Sequence, residues 1–163
     1  MSELAQQVGE ALKAQGLMLA TAESCTGGGI AQALTDISGS SAWFERGFVT
    51  YANAAKVEML GVRQSTLDAH GAVSAATVRE MVAGALAHSH AHIAVAVSGV
   101  AGPTGGTPEK PVGTVWFGWA SRNSGAHARL HQLSGDRAAV RAQSVDIALQ
   151  GVLDLLASRT ETA

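Results

Sequence analysis

The sequence predicts one α/β domain over residues 1–163, a layered α/β/α sandwich on a mixed, largely parallel sheet. Three observations predict it. A chain of 163 residues is one domain's worth of polymer, able to bury roughly two-thirds of the surface its unfolded form exposes. Stretches with apolar residues at helical spacing alternate with short apolar runs that show no polar alternation, which suits strands covered by helices on both faces. Near the carboxyl end, an aromatic and β-branched run, a turn and an alternating run make a hairpin before a closing helix.

Leu4, Val8, Ala11 and Leu12 share one helical face, and Gly16 stops the pattern, so the first helix runs from Ser2 to Gln15. Leu17 to Ala22 is a buried strand leading into Glu23-Ser24-Cys25-Thr26-Gly27-Gly28-Gly29, with a helix expected from Thr26 to Ile37. Phe44 to Tyr51 reads as a strand, Asn53 to Leu60 as a short helix capped by Asn53, and Gln64 to His70 as another helical piece. Ser74 caps a helix whose Val78, Met81, Val82, Ala85 and Leu86 lie on one face, and Ile93 to Val97 is a buried strand ending in Ser98-Gly99. The loop Val100 to Val112 carries all three prolines; Thr114 to Ala120 and Ala126 to Leu133 form the hairpin, turning at Arg122 to Gly125. Gly135-Asp136-Arg137 opens the last helix, with Val145, Ala148, Leu149, Val152 and Leu156 as its core stripe and a polar tail, Ser158 to Ala163, expected to fray.

Charged residues are 15% and apolar ones 47%, the balance of a compact fold and not of a disordered chain. Eleven basic against thirteen acidic side chains, unclustered, lack the electrostatic footprint of a nucleic-acid or membrane-surface binder. No apolar run approaches the roughly 20 residues of a membrane span, the amino terminus lacks the apolar core of a signal peptide, and the single cysteine, Cys25, has no partner for an internal disulfide. These features point to a cytoplasmic protein.

Two glycine-rich segments, Glu23 to Gly29 and Ser98 to Gly106, each follow an apolar strand, and strand carboxyl ends are where open α/β sheets bind ligands. Ser24 stands between a strand end and a helix start, where backbone N–H groups and the helix dipole favour an anion or a developing oxyanion. Neither segment matches the phosphate-loop, dinucleotide or nucleophile-elbow signatures, and tight turns that need glycine explain them as well. A serine nucleophile needs a base. The six histidines offer no partnered carboxylate at suggestive spacing, and His88, His90 and His92 at a helix end read as a solvated turn in preference to a metal site. Lysine is the other base available, since burial lowers its pKa. Of three lysines, Lys13 lies on a polar helix face and Lys110 in a proline-flanked loop, whereas Lys56 follows a strand end by one turn; its spacing alone reads as a helix-surface residue.

Together the segments Ala22 to Gly28, Gly47 to Lys56, His70 to Ser74, Ser98 to Gly106 and Lys110 to Thr114 resemble, in this order, the CinA C-terminal domain family, over nearly the whole chain to Leu156. The family's nucleotide-binding-like preceding domain has no counterpart, so the stand-alone amidase form is expected. The resemblance implies hydrolysis of the carboxamide of nicotinamide mononucleotide to nicotinate mononucleotide and ammonia in pyridine-nucleotide recycling, with no metal or organic cofactor. It implies Ser24 as nucleophile, Lys56 as base and Tyr51 as their hydroxyl partner. Ser98, where many relatives carry Thr, would help hold the oxyanion or the reacting amide. Substrate would lie on Thr26, Gly27, Gly28, Ser98, Gly99, Gly102 and Gly105, with N–H groups near Gly27 and Gly99 facing the oxyanion, and its phosphate on Arg137 or Arg141, a turn apart at the start of the last helix. Cys25 reads as a buried structural thiol, Asn53 as a helix cap, and Trp43, Trp116 and Trp119 as core or subunit contacts. The expected partners are the small nucleotide and other copies of the chain in a homo-oligomer, with no nucleic acid and no membrane. A nucleotide-sensing module of the competence or damage-inducible type would use the same loops without turnover, while a phosphatase lacks the carboxylate cluster to hold its metal.

Overall fold

The computed structural model describes residues 2–162. Among them five strands form one sheet in the order β2-β1-β3-β4-β5: β1 Leu19–Glu23, β2 Phe44–Val49, β3 Ile93–Gly99, β4 Thr114–Ser121 and β5 His127–Gln132. β1 pairs parallel with β2 and β3, and β4 pairs antiparallel with β3 and β5. Four strands therefore point the same way and β4 alone runs against them, the price of closing the chain with a hairpin.

The helices α1 Ser2–Gln15, α2 Gly29–Thr35 and α6 Arg137–Thr162 pack on one face, and α3 Asn53–Leu60, α4 Gln64–His70 and α5 Ala75–Ala87 cover the other. The central strand β3 shows how residue size assigns the faces. Ile93, Val95 and Val97 enter the core with Val8, Leu12 and Leu149, while Ala94 and Ala96 face Met81 and Val82 of α5. Period-two alternation sends successive side chains to opposite faces, and alanine beneath α5 lets that helix lie close. Closeness has a local extreme at Gly84, where a Cβ would stand 1.9 Å from the Leu60 carbonyl oxygen. Trp43 and Trp119 are buried in the α1/α6 core, Trp119 donating Nε1 to the Ala148 carbonyl at 3.0 Å, and Trp116 packs half-buried on the other face.

β1 starts at Leu19 and not at Leu17, β2 ends at Val49 and not at Tyr51, and α2 ends at Thr35 and not at Ile37; three further differences from the sequence reading have local causes. α2 begins at Gly29 and not at Thr26, because Gly27 and Gly28 take positive φ values of 59° and 102° that continue no right-handed helix. Asn53 is not the cap of α3: Ala52 holds that position with no side-chain cap bond. α6 carries on through Ser158 to Thr162, where the polar composition predicts fraying, since Ala157, Arg159 and Glu161 are competent helix formers; Ala163 lies outside the described residues. Ser74 does cap α5, accepting from the Thr77 N–H at 3.1 Å. Among the described residues no helix is long and apolar enough to cross a membrane.

Candidate active site

The carboxyl ends of β1, β2 and β3 converge on one pocket of about 280 Å³ lined by Ser24, Cys25, Tyr51, Asn53, Lys56, Gly99, Gly102, Gly105 and Arg137, among others. Ser24 leaves the end of β1 with its N–H bonded to the Val97 carbonyl (3.0 Å), so the sheet itself fixes its backbone. Lys56 sits on the first turn of α3, and its side chain runs inward until only 1% of it is exposed. The helix-surface reading of Lys56 is therefore overturned: its four-carbon stem is buried, which a surface lysine would leave in water.

Nζ of Lys56 lies 3.0 Å from Ser24 Oγ, 2.8 Å from the Thr50 carbonyl and 3.2 Å from the Tyr51 carbonyl. Burial pushes its pKa below the ordinary lysine range, since desolvation disfavours the ammonium. When neutral, the amine can donate its two protons to the carbonyls and turn its lone pair to the serine hydroxyl. The two carbonyls thus fix the amine beside Ser24.

At Cys25, next along, burial, with the Glu23 charge adding to it, pushes the thiol up to about 11, and the thiol form is not a nucleophile. The histidines do not enter the pocket. His92 accepts from the Met18 N–H through Nδ1 (3.0 Å) and His88 Nδ1 bonds the Gly84 carbonyl (2.8 Å), and no group of three or more His, Cys, Asp or Glu that could hold a metal ion occurs among the described residues.

Comparison with known proteins places this geometry. The sequence pattern of the CinA C-terminal domain matches residues 1–156. The chain belongs to the CinA C-terminal domain family. It is 57% identical over 150 residues to the Escherichia coli K12 protein named nicotinamide-nucleotide amidohydrolase PncC, covering 92% of this chain and 91% of that one. It is 54% identical over 155 residues to the protein of the same name from Pseudomonas putida, covering 95% and 96%. The crystal structure of competence/damage inducible protein CihA from Agrobacterium tumefaciens superposes with a TM-score of 0.92 at 48% identity, covering 94% of each chain.

For this member of the CinA C-terminal domain family, not every residue suggested by its motifs reaches the pocket. The Tyr51 hydroxyl is exposed and accepts from Arg137 Nη2 at 2.9 Å; what Tyr51 offers Lys56 is its backbone carbonyl. Ser98 is buried within β3, paired with Trp116, and does not line the cavity, whereas Gly99 beside it does. Ser98 follows Val97 on the face of Ala94 and Ala96, and there it is 1% exposed. Thr26 gives its hydroxyl to Glu23 (2.6 Å), and the Gly27 N–H closes a turn onto the Ser24 carbonyl (3.0 Å), so that N–H is engaged and not aimed at an oxyanion. Gly28 is the αL residue before α2 and also lies outside the pocket.

The two arginines separate cleanly. Arg137 lines the pocket and donates Nη1 to the Gly102 carbonyl at 2.9 Å. Arg141 lines a different groove, with Thr26, Gln32 and Asp36, and donates to the Cys25 and Thr26 carbonyls at 3.1 and 3.3 Å.

Sequence reasoning missed Glu23. Its carboxylate is wholly buried and accepts from Thr26 Oγ1 at 2.6 Å, the Ile30 N–H at 2.8 Å and the Ala31 N–H at 3.0 Å. The start of α2, expected to attract a substrate anion, is already occupied by the protein's own. A carboxylate a few residues ahead of a helix is a legible signal of this arrangement. Asn53 was also misjudged. Free of capping duty, it lines the pocket.

Proposed function

We propose that the protein is a nicotinamide-nucleotide amidohydrolase, converting nicotinamide mononucleotide and water to nicotinate mononucleotide and ammonia in pyridine-nucleotide recycling. The observation that carries the reading is the buried Lys56 amine 3.0 Å from Ser24 Oγ, on a chain so similar to relatives named for that activity. Neutral Lys56 takes the Ser24 proton as Oγ attacks the carboxamide carbon. The ammonium so formed returns that proton to the departing amine, ammonia leaves, and an acyl ester remains on Ser24. Water, deprotonated by Lys56, then attacks the ester and releases the carboxylate. We assign the oxyanion to the loop that begins at Gly99 and lines the pocket; its Val100 N–H is already taken by the Thr114 carbonyl at 2.9 Å.

Arg137 is the residue we assign to the substrate phosphate. It lies in the same pocket as Ser24 at the first residue of a 26-residue helix, and its bond to the exposed Tyr51 hydroxyl is one that a phosphate oxygen can replace. The reading includes one domain working in the cytoplasm as a homo-oligomer, on a small nucleotide and not on nucleic acid. The test is ammonia release from nicotinamide mononucleotide by purified protein. Binding of the nucleotide with no ammonia released would instead make the chain a sensing module.

A further inference from the structure

We infer that Glu23 and Arg141 are positioning residues that hold the Ser24 turn from two sides, and that neither binds substrate. The inference rests on the amidohydrolase reading for the identity of the nucleophile. Two positive-φ glycines, Gly27 and Gly28, follow Ser24 within four residues, and glycine gives the backbone many conformations to choose among. Something outside the turn must select one. Glu23, the last residue of β1, gathers the Thr26 hydroxyl and the Ile30 and Ala31 N–H groups onto its two oxygens, tying the turn to the start of α2. Arg141, from α6, brings Nε and Nη2 to the Cys25 and Thr26 carbonyls, the two that directly follow the nucleophile.

The contacts leave little room for other roles. Each Glu23 oxygen already accepts at least one hydrogen bond within a site sealed from solvent, so the carboxylate is neither exposed to substrate nor placed as a base. Arg141 lines no wall of the Ser24 pocket, and its guanidinium packs so closely that a Cβ on Gly27 would stand 3.3 Å from Nη2. A planar fork can span two adjacent carbonyls; the point charge of lysine cannot. Displacement of a nucleophile by about 1 Å can cost about a hundredfold in rate, so the effect belongs in kcat.

The experiment compares Glu23→Gln, Arg141→Lys, Thr26→Val and Thr26→Ser with the parent protein. Thr26→Val removes only the hydroxyl that reaches Glu23, and Thr26→Ser keeps it; this pair tests the tie even if Glu23→Gln folds poorly. Turnover per folded molecule is measured with nicotinamide mononucleotide and with nicotinamide riboside, alongside the rate at which a sulfonyl fluoride labels Ser24. We expect kcat of Glu23→Gln and Arg141→Lys to fall about a hundredfold with KM within about threefold, by the same factor for both substrates, with slower labelling in parallel. Thr26→Val should lose about tenfold and Thr26→Ser little. Parental turnover and labelling per folded molecule in Thr26→Val and Arg141→Lys would overturn the inference while leaving the amidase reading intact. So would a rise in KM confined to the mononucleotide in Arg141→Lys, which would make Arg141 a phosphate ligand. A parent protein that neither labels at Ser24 nor releases ammonia overturns both.

Discussion

Arg137 and Arg141 stand one turn apart on α6, yet they meet the Ser24 region in different ways. Arg137 is exposed and shares its pocket with Ser24 and Lys56. Arg141 is half-buried and holds two backbone carbonyls of the turn that follows Ser24. From one helix and one residue type come a group able to trade partners with a ligand and a group fixed into the fold. The difference lies in what each guanidinium gives up on binding. Arg137 would release a side-chain hydroxyl that water can satisfy, whereas Arg141 would abandon carbonyls beside Ser24, and an unpaired buried acceptor is costly.

The largest effects should come from the pocket side. Ser24→Ala should keep the fold and lower turnover by about a thousandfold or more, the usual consequence of removing a covalent nucleophile. Lys56→Arg retains a charge but cannot accept a proton at neutral pH, so it should be nearly as inactive as Lys56→Ala. Steady-state ammonia assays check both. An active Lys56→Arg enzyme would reduce Lys56 to a charge that orients Ser24 and would break the contrast between chemistry on one side of the turn and support on the other.

Next in size is phosphate recognition. Because a remote group's binding energy holds the amide in place for attack, nicotinamide riboside should be a much poorer substrate than the mononucleotide, and free nicotinamide poorer still. Arg137→Ala should reduce kcat/KM for the mononucleotide by about a hundredfold while scarcely changing the riboside. Equal kcat/KM for mononucleotide and riboside in the parent protein would sink the phosphate anchor. A mononucleotide-specific loss in Arg141→Ala and none in Arg137→Ala would exchange the two arginines.

What the sequence could show follows the same division. Elements that depend on local pattern were legible: the β3 run of alternating large and small apolar residues, the Ser74 cap, and the hairpin around Arg122 to Gly125 match the structure closely. Ser24 and the second glycine loop were legible as strand-end features. Lys56 was legible only as the lysine that follows a strand end by one turn; its burial was not, because that depends on how α3 docks. Arg137 and Arg141 were indistinguishable for a like reason, since a shift of four residues on a helix returns nearly to the same face, and only the position of the facing loops separates them. Ser98 shows the converse, a motif residue buried within β3 while its neighbour Gly99 lines the cavity.

A smaller effect is expected at Cys25. It lines the pocket beside Ser24, but a thiol pushed up to about 11 is protonated at neutral pH. Cys25→Ala should therefore change turnover by no more than about threefold. Activity should rise with pH on a limb below the ordinary lysine value of about 10.4 as buried Lys56 loses its proton, and Cys25→Ala should leave that limb in place. Loss of the limb in Cys25→Ala would assign it to the thiol and reverse the roles of these two residues.

The smallest effect is on stability, and it tests Lys56 without any substrate. Burial lowers the folded-state pKa of Lys56 relative to its unfolded value, which is about 10.4. Between those two values the unfolded chain holds a proton that the native protein has released, so stability rises with pH across that window. Below the folded pKa the native protein buries the ammonium itself, and its desolvation cost is present in full. Cys25 works in the opposite sense, since its folded pKa is raised to about 11 and the unfolded thiol ionises first; the comparison is therefore made with Cys25→Ala in both arms. Chemical denaturation of Cys25→Ala and of Cys25→Ala with Lys56→Met, from neutral pH to above 10, should show the lysine-containing protein gaining on the methionine variant as pH rises, then levelling. A difference that stays flat with pH would mean that Lys56 titrates in the folded protein as it does in water. The amine 3.0 Å from Ser24 would then be an ammonium at neutral pH, and the proton of the serine would need another acceptor.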